Sequence, residues 1–291
     1  MREISCETVK DAVYRLCSQA CIAMPEDTMA MLHAAAAGEE SDYGKANLEM
    51  AIENACIAKK EKMPICQDTG MVTVFAQIGQ DVHLTGGDFY ESIHQGVREA
   101  YVPFRKSVLS PLERENTGDN TPAVVHISLA PGDKIKLMLA PKGFGSENMS
   151  ALKMLKPSQG IEGVKQFILD TVSQAGANPC PPVIVGVGIG GTMEKAALMA
   201  KHALVASKPS ADIMLAQDMV YAAFRSPLEL LAQLEKELLE KINDLGIGPQ
   251  GMGGRITALA VFIETYPTHI AGLPVAVNIQ CHCARHGEVV L

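Results

Sequence analysis

The chain of 291 residues is 47% apolar and 20% charged, the make-up of a folded protein with a sizeable core. Its net charge of −8 argues against nucleic acid as the main partner, because phosphate binding wants a basic face; a local cluster of cations could still receive an anionic substrate. No apolar run reaches the roughly 18 residues needed to span a bilayer, and the acids near the N-terminus are unlike a secretory or transit leader, so no membrane association is expected and a cytoplasmic home is the default.

The first sixty residues read as helices, with apolar residues at three- and four-residue spacing through ISCETVKDAVYRLCSQACIAM, DTMAMLHAAAAG and YGKANLEMAIENACIAKKEK. The pattern breaks at Pro64. VTVFAQIG (72–79) alternates like a strand, and DFYESIHQGVREAYVPF returns to helix. PAVVHISLA (122–130) and KIKLMLA (134–140), joined by the turn PGD, predict an antiparallel hairpin. After the glycine-rich KGFGSEN (142–148) a helix is expected through GIEGVKQFILDTVSQAG, then an apolar strand PPVIVGVGIGG (181–191) and a helix TMEKAALMAKHALV. A further helix covers SPLELLAQLEKELLEKINDLG, with Gly246 as its C-terminal cap. GIGPQGMGG reads as a loop, and ITALAVFIE and PVAVNIQ as the last strands. Helices first, then short strands and helices without a sustained βαβ rhythm, predict an α+β fold.

Eight cysteines are spaced irregularly in a long chain without a signal, which favours reduced thiols or metal ligands over disulfides. Cys17, Cys21 and Cys56 fall within helical patterns and are expected to be buried small apolar residues. Cys66 (KMPICQDTGM), Cys180 (GANPCPPVIVG) and Cys281 (VAVNIQCHCARHG) instead sit in loops beside glycine, proline or polar residues, as a preformed metal site requires. They lie more than ninety residues apart, unlike a zinc finger or the compact ferredoxin motif. Three remote thiolates suit a cubane cluster with one iron free of protein ligands, able to act as a Lewis acid. On these residues alone, inert thiols and a dinucleotide site stay open. Gly186, Gly188 and Gly191 fit G-x-G-x-x-G after a strand and before a helix, but KPSADIMLAQDMVYAAFRS reads as loop and helix, so Asp212 follows no second strand. Close packing of strand on helix is the simpler reading of those glycines.

The histidines at 33, 83, 94 and 202 show no partner pattern. Glu235, Glu237 and Glu240 read as a solvated helix face, and Asp119 and Asn120 as turn formers.

ICQDTG at Cys66, NTGDN (116–120), KGFGSENMSALKMLKPSQG (142–160), NPCPPVIVGVGIGG (178–191), LGIGPQGMGG (245–254) and the pair His269 and Cys281 occur in order. Together they resemble the cluster-binding half of the class I fumarases and the similar L-tartrate dehydratases, from about residue 10 to 289. The resemblance implies one domain over 1–291 with a helical subregion over 1–63, and a 4Fe–4S cluster held by Cys66, Cys180 and Cys281. It implies that Gln67 and Asp68 contact the substrate, with Asp68 and His269 in catalytic roles. His269 would meet a substrate carboxylate, in some relatives from the neighbouring protomer. Arg105 would grip a carboxylate, and Gly143 and Gly145 would bring backbone close to the substrate; Phe144 replaces a glycine common in the family. Cys283 reads as a spectator beside the cluster. The expected activity is hydration of fumarate to L-malate, with L-tartrate dehydration as the alternative; a nicotinamide-dependent oxidoreductase and a redox-sensing scaffold are the readings from other classes. The general base is expected on a separate beta subunit, in an alpha2beta2-type assembly.

Overall fold

The computed structural model describes residues 1–206 and 227–291. The segment bearing Asp212, where a dinucleotide fold would need its second strand, lies outside the described residues.

The chain opens with β1 (Arg2–Ser5), followed by α1 (Cys6–Ile22), α2 (Glu26–Gly38) and α3 (Asp42–Glu61). The Ser5 side chain accepts a hydrogen bond from the Thr8 N–H and so starts α1 later than the apolar spacing suggests. The residues before it are extended and pair in parallel with β3 (Val82–Thr85). Ser41 caps α3 in the same way, and Lys62, at φ 54°, ends it.

A first sheet contains β2 (Met71–Gly79), β4 (Val124–Ala130), β5 (Ile135–Lys142) and β10 (Gly287–Val290), in the order β10-β5-β2-β4. The expected hairpin does not form. β2 lies between its two arms, parallel to β4 and antiparallel to β5. The reason is burial: Val72 to Ala76 are all buried, which suits a central strand, whereas β4 leaves Val124, Ile127 and Leu129 exposed at the edge. The PGD turn instead closes over the end of β2, where the Gln80 and Asp81 N–H groups donate to Ala130 O and Gly132 O.

The second sheet holds β6 (Ala151–Leu155), β7 (Val183–Gly190), β8 (Ala258–Tyr266) and β9 (Leu273–Gln280), in the order β6-β9-β7-β8. The short strands β6 and β10 escape the sequence reading, since four or five residues are too few to display a period. Mixed pairing in both sheets, with helices packed on them, gives the α+β fold expected.

Helices layer these sheets. On one face of the first sheet, α1 and α4 (Phe89–Ala100) pack against Val72, Val74, Leu137 and Leu139. On the far face of the second, α6 (Gly160–Ala175) and α8 (Leu228–Asn243) pack against Val185, Val187, Val275 and Val277. Between the sheets lies α7 (Met193–Ala206): Leu198 and Val205 meet Phe75 and Met138 of the first, while Ala196 and Ala200 meet Ala276 of the second. Gly186 and Gly188 make this close approach possible. A methyl group at either position would stand 2.2 Å from Ala200 O or 2.0 Å from Ala196 O. Those glycines therefore serve helix–strand packing, as their sequence context predicts. Among the described residues no helix is long and apolar enough to cross a membrane.

Candidate functional site

Both sheets turn one end toward the same region. The loop 66–70 leads into β2, and its register partner Lys142 closes β5; Cys180 leads into β7, and Cys281 follows β9, which pairs antiparallel with β7. Lys142 fastens the two sheets together. Only 3% exposed, it donates from Nζ to Ile279 O at 2.7 Å and to Ser146 Oγ at 2.8 Å, and pairs with Glu147 at 3.2 Å. Burial, only partly offset by Glu147, pushes its pKa down to about 8. Glu147, in the short helix α5 (Phe144–Glu147), also takes bonds from Lys201 and Asn278 and so ties α7 and β9 into the same network.

Asp68 joins two of the loops. One carboxylate oxygen accepts from Gly70 N at 3.0 Å and the other from Phe144 N at 2.8 Å. A methyl group at Gly143 would lie 3.1 Å from Asp68 Oδ2 and 3.6 Å from Arg285 Nη2. Gly145 faces the next loop, with Asn178 O 3.7 Å from where its Cβ would stand. Gly70, at φ 80°, passes so near the Lys142 backbone that a Cβ there would meet it at 2.9 Å.

Arg105 is exposed, but its backbone is held against the Cys66 loop. Thr69 Oγ1 donates to Arg105 O at 2.7 Å, and Asn120 accepts from Ser107 N while donating to Gly70 O. Tyr101 donates to Thr69 O at 2.7 Å. Asn120 is thus more than a turn former, and Thr69, Tyr101 and Asn120 are contributors the sequence reading missed. Asn120 in NTGDN was visible as a motif residue, but its partner Gly70 is remote in sequence.

Cys180 carries φ 54° and is held from both sides. Its carbonyl contacts the His282 ring nitrogen at 2.9 Å, and Gln250 bonds both to His282 and to Pro181 O. The three loop thiols feel one another. Burial raises the pKa of Cys66 and Cys180, and the neighbouring thiols raise it further: Cys281 for Cys66, and Cys281 with Cys66 for Cys180. A hydrogen bond with Cys283, then burial, holds Cys281 well above the usual thiol range. Cys281 and Cys283 lean on the apolar α2–α3 pair, against Leu32, Leu48 and Ile65.

Of the other cysteines, Cys17 and Cys21 are fully buried as expected, whereas Cys56 is exposed, on the solvent side of α3. His202 also departs from the sequence reading. It is buried, with Nδ1 2.6 Å from Glu264 Oε1, a pairing that only the contact of α7 with β8 creates. Glu235 accepts from the Ile263 N–H at the edge of β8 and is more than part of a solvated face. Gln67 is exposed, with its side-chain oxygen 3.5 Å from the Cys66 thiol.

His269 is not brought to this region within the chain. It sits in the loop between β8 and β9, next to Thr268, whose hydroxyl donates to Gly191 O, and lines an apolar groove of about 430 Å³ with Ile161, Leu231 and Ile270. The eight-residue β9 separates it from Cys281, a span of roughly 25 Å at about 3.3 Å per residue.

The donor set fits a thiolate-held cluster better than a single ion. Among the described residues no three metal-ligating side chains converge tightly enough for one ion. Three thiols that influence one another electrostatically are the donor type an iron–sulfur cluster takes. Arg285 gives an independent sign. It is 1% exposed, has no carboxylate partner among the described residues, and leaves Nε and Nη1 without hydrogen-bond acceptors. Burial works against its charge, and the acidic groups of Cys281, Cys21, Tyr101 and Cys283 outweigh that.

Comparison with known proteins gives the family. A protein of Methanocaldococcus jannaschii, provisionally named L(+)-tartrate dehydratase subunit alpha, is 44% identical over 285 residues, covering 95% of each chain. The L(+)-tartrate dehydratase subunit alpha of Escherichia coli K12 is 32% identical over 274 residues, covering 92% of this chain and 86% of its own. That of Shigella sonnei is equally similar. The family model described as fumarate hydratase (fumerase) matches residues 10–290, and the chain therefore belongs to this hydro-lyase family.

Proposed function

We propose that this chain is the alpha subunit of an iron–sulfur hydro-lyase, holding a 4Fe–4S cluster through Cys66, Cys180 and Cys281 and adding or removing water at a small dicarboxylic acid. The observation that supports the reading is the mutual electrostatic influence of those three thiols, from loops remote in sequence, and of a buried guanidinium without an ion-pair partner among the described residues. The bound cluster supplies a Lewis-acidic iron that polarises a carbon–oxygen bond. The chain's own residues bind and orient. Gln67 offers an amide and Asp68 a carboxylate to the hydroxyl or water involved; Asp68 already points where Gly143 leaves space. Arg105, exposed and held beside the Cys66 loop, neutralises a substrate carboxylate. Gly143 and Gly145 let the backbone approach the substrate.

The second carboxylate is assigned to His269 of another copy, since its own lies at the far end of β9. The base that takes the proton from carbon is assigned to a separate beta subunit. Relatives named as alpha subunits, similar along nearly their whole length, support that division of the site. An alpha2beta2-type assembly supplies both.

The wording of KGFGSEN and GIGGTMEKAA leans toward fumarate and malate, while the relatives are named for L-tartrate. Those names make L-tartrate the first substrate to test, with fumarate hydration second. Removing water from L-tartrate gives the enol of an oxo-dicarboxylate; removing it from L-malate gives fumarate. The test is anaerobic co-expression with the candidate beta chain, then assays of L-tartrate, L-malate and fumarate side by side. Elimination of water from L-tartrate or L-malate, or hydration of fumarate, is expected. Turnover of none by an assembled, cluster-loaded complex would overturn the reading.

A further inference from the structure

Arg285 has no role in the reaction as described above, yet it is among the largest fully buried side chains of the described residues. An unpaired buried cation is costly unless an anion meets it. Here the groups that act on the guanidinium are the thiols of Cys281, Cys21 and Cys283 and the Tyr101 phenol; it acts in turn on Cys66, and the Asp68 carboxylate approaches the same point beside Gly143 without forming an ion pair with it. Cys21 and Tyr101 already bond to each other and are sealed in the core. That leaves Cys66, Cys281 and Cys283, of which Cys66 and Cys281 are the proposed cluster ligands. The surroundings are apolar, with the α2–α3 pair behind Cys281, so a charge here acts with little screening.

We propose that Arg285 is the built-in counter-charge of the cluster site, positioned to offset the negative charge that the thiolates of Cys66 and Cys281 bring when they bind iron. This rests on the cluster reading. Three thiolates around a dipositive cube leave about one negative charge in excess, and one guanidinium offsets it. Placement follows from the chain itself: Arg285 comes four residues after Cys281, and its Nη2 reaches toward Gly143 beside Asp68. It acts through the cluster and is a positioning residue.

The full chain and its variants Arg285→Met, which keeps bulk without charge, and Arg285→Lys, which keeps charge, are reconstituted anaerobically with ferrous iron and sulfide. Iron and sulfide per chain, iron loss to a chelator and the cluster's reduction potential are then measured; circular dichroism checks the fold. Wild type is expected to hold about four irons per chain. Arg285→Met is expected to hold less than half as much, to lose it faster and to show a more negative potential, because the reduced, more anionic state loses its cation. Arg285→Lys recovers most of the iron content. Should Arg285→Met fail to fold, Arg285→Gln takes its place. A neutral variant with wild-type iron content, chelator resistance and potential would overturn the proposal, as would a defect confined to substrate KM, which would make Arg285 a substrate-binding residue. Wild type that takes up neither iron nor sulfide would refute the cluster reading itself.

Discussion

Asp68 and the three loop cysteines carry the proposed site at the scale of single side chains. Both oxygens of Asp68 are held by backbone N–H groups, from Gly70 and Phe144, so its carboxylate is fixed before any substrate arrives. Asp68→Asn is expected to keep the iron content and lower kcat by about 10²–10⁴-fold, the range acid–base groups supply, in a steady-state assay beside an iron determination. Replacing Cys66, Cys180 or Cys281 by Ser should abolish iron uptake after anaerobic reconstitution. Cys283→Ser should leave iron content near wild type, because its thiol only neighbours that of Cys281. A fall in iron equal to that of Cys281→Ser would make Cys283 a ligand. At this scale the sequence was informative: cysteines in loops flanked by proline and glycine stood apart from Cys17 and Cys21 inside helices. Cys56 shows the limit, since helical spacing alone does not say which face is outside.

Elements carry these side chains, and glycine contacts set how closely the elements pack. Gly188→Ala would drive a methyl group into Ala196 O and lift α7 from β7. A loss of roughly 1–3 kcal/mol is expected from urea unfolding, with an unchanged m-value. The Arg105 loop depends on the turn at Asp119 and Asn120. Burial opposes the Asp119 charge, but hydrogen bonds from Arg98 and Thr121 outweigh it and lower its pKa to about 2. The unfolded value is about 3.9. A folded value below the unfolded one stabilises fully above pH ~4, and the contribution is lost as pH falls through about 2. Asp119→Asn should therefore flatten that part of the stability–pH curve; an unchanged acid limb would refute the assignment. The hairpin expected over 122–140 fails at this scale, because local turn chemistry can join two strands in sequence but cannot say that a third, more apolar strand enters between them.

For the whole molecule the decisive feature is that His269 and Cys281 occupy opposite ends of β9. If a second copy supplies His269, an assembly mixed from Cys180→Ser and His269→Ala chains should regain activity that neither variant has alone, since one site then holds three cysteines and an intact histidine. No recovery in demonstrably mixed assemblies would refute the shared site. The chain without a beta partner is expected to bind iron and sulfide yet turn over little; full activity from it alone would place the base within these residues. A cluster held by three cysteines leaves one iron without a protein ligand, so on the proposed reading exposure to air with chelator should inactivate the loaded complex.

By itself the sequence determined the chemistry available: helical periods, the apolar strands, the glycines needed for close packing and three thiols in rigid loops. It also carried the family, because ordered motifs survive as strings of residues. Tertiary structure decided what depends on elements meeting across long separations: β2 between β4 and β5, Lys142 bonded to Ile279, Asn120 to Gly70, and Arg285 enclosed by thiols and a phenol. Those contacts arise only when the two sheets close around α7. A local pattern records which face a residue presents, but not the partner that will cover it.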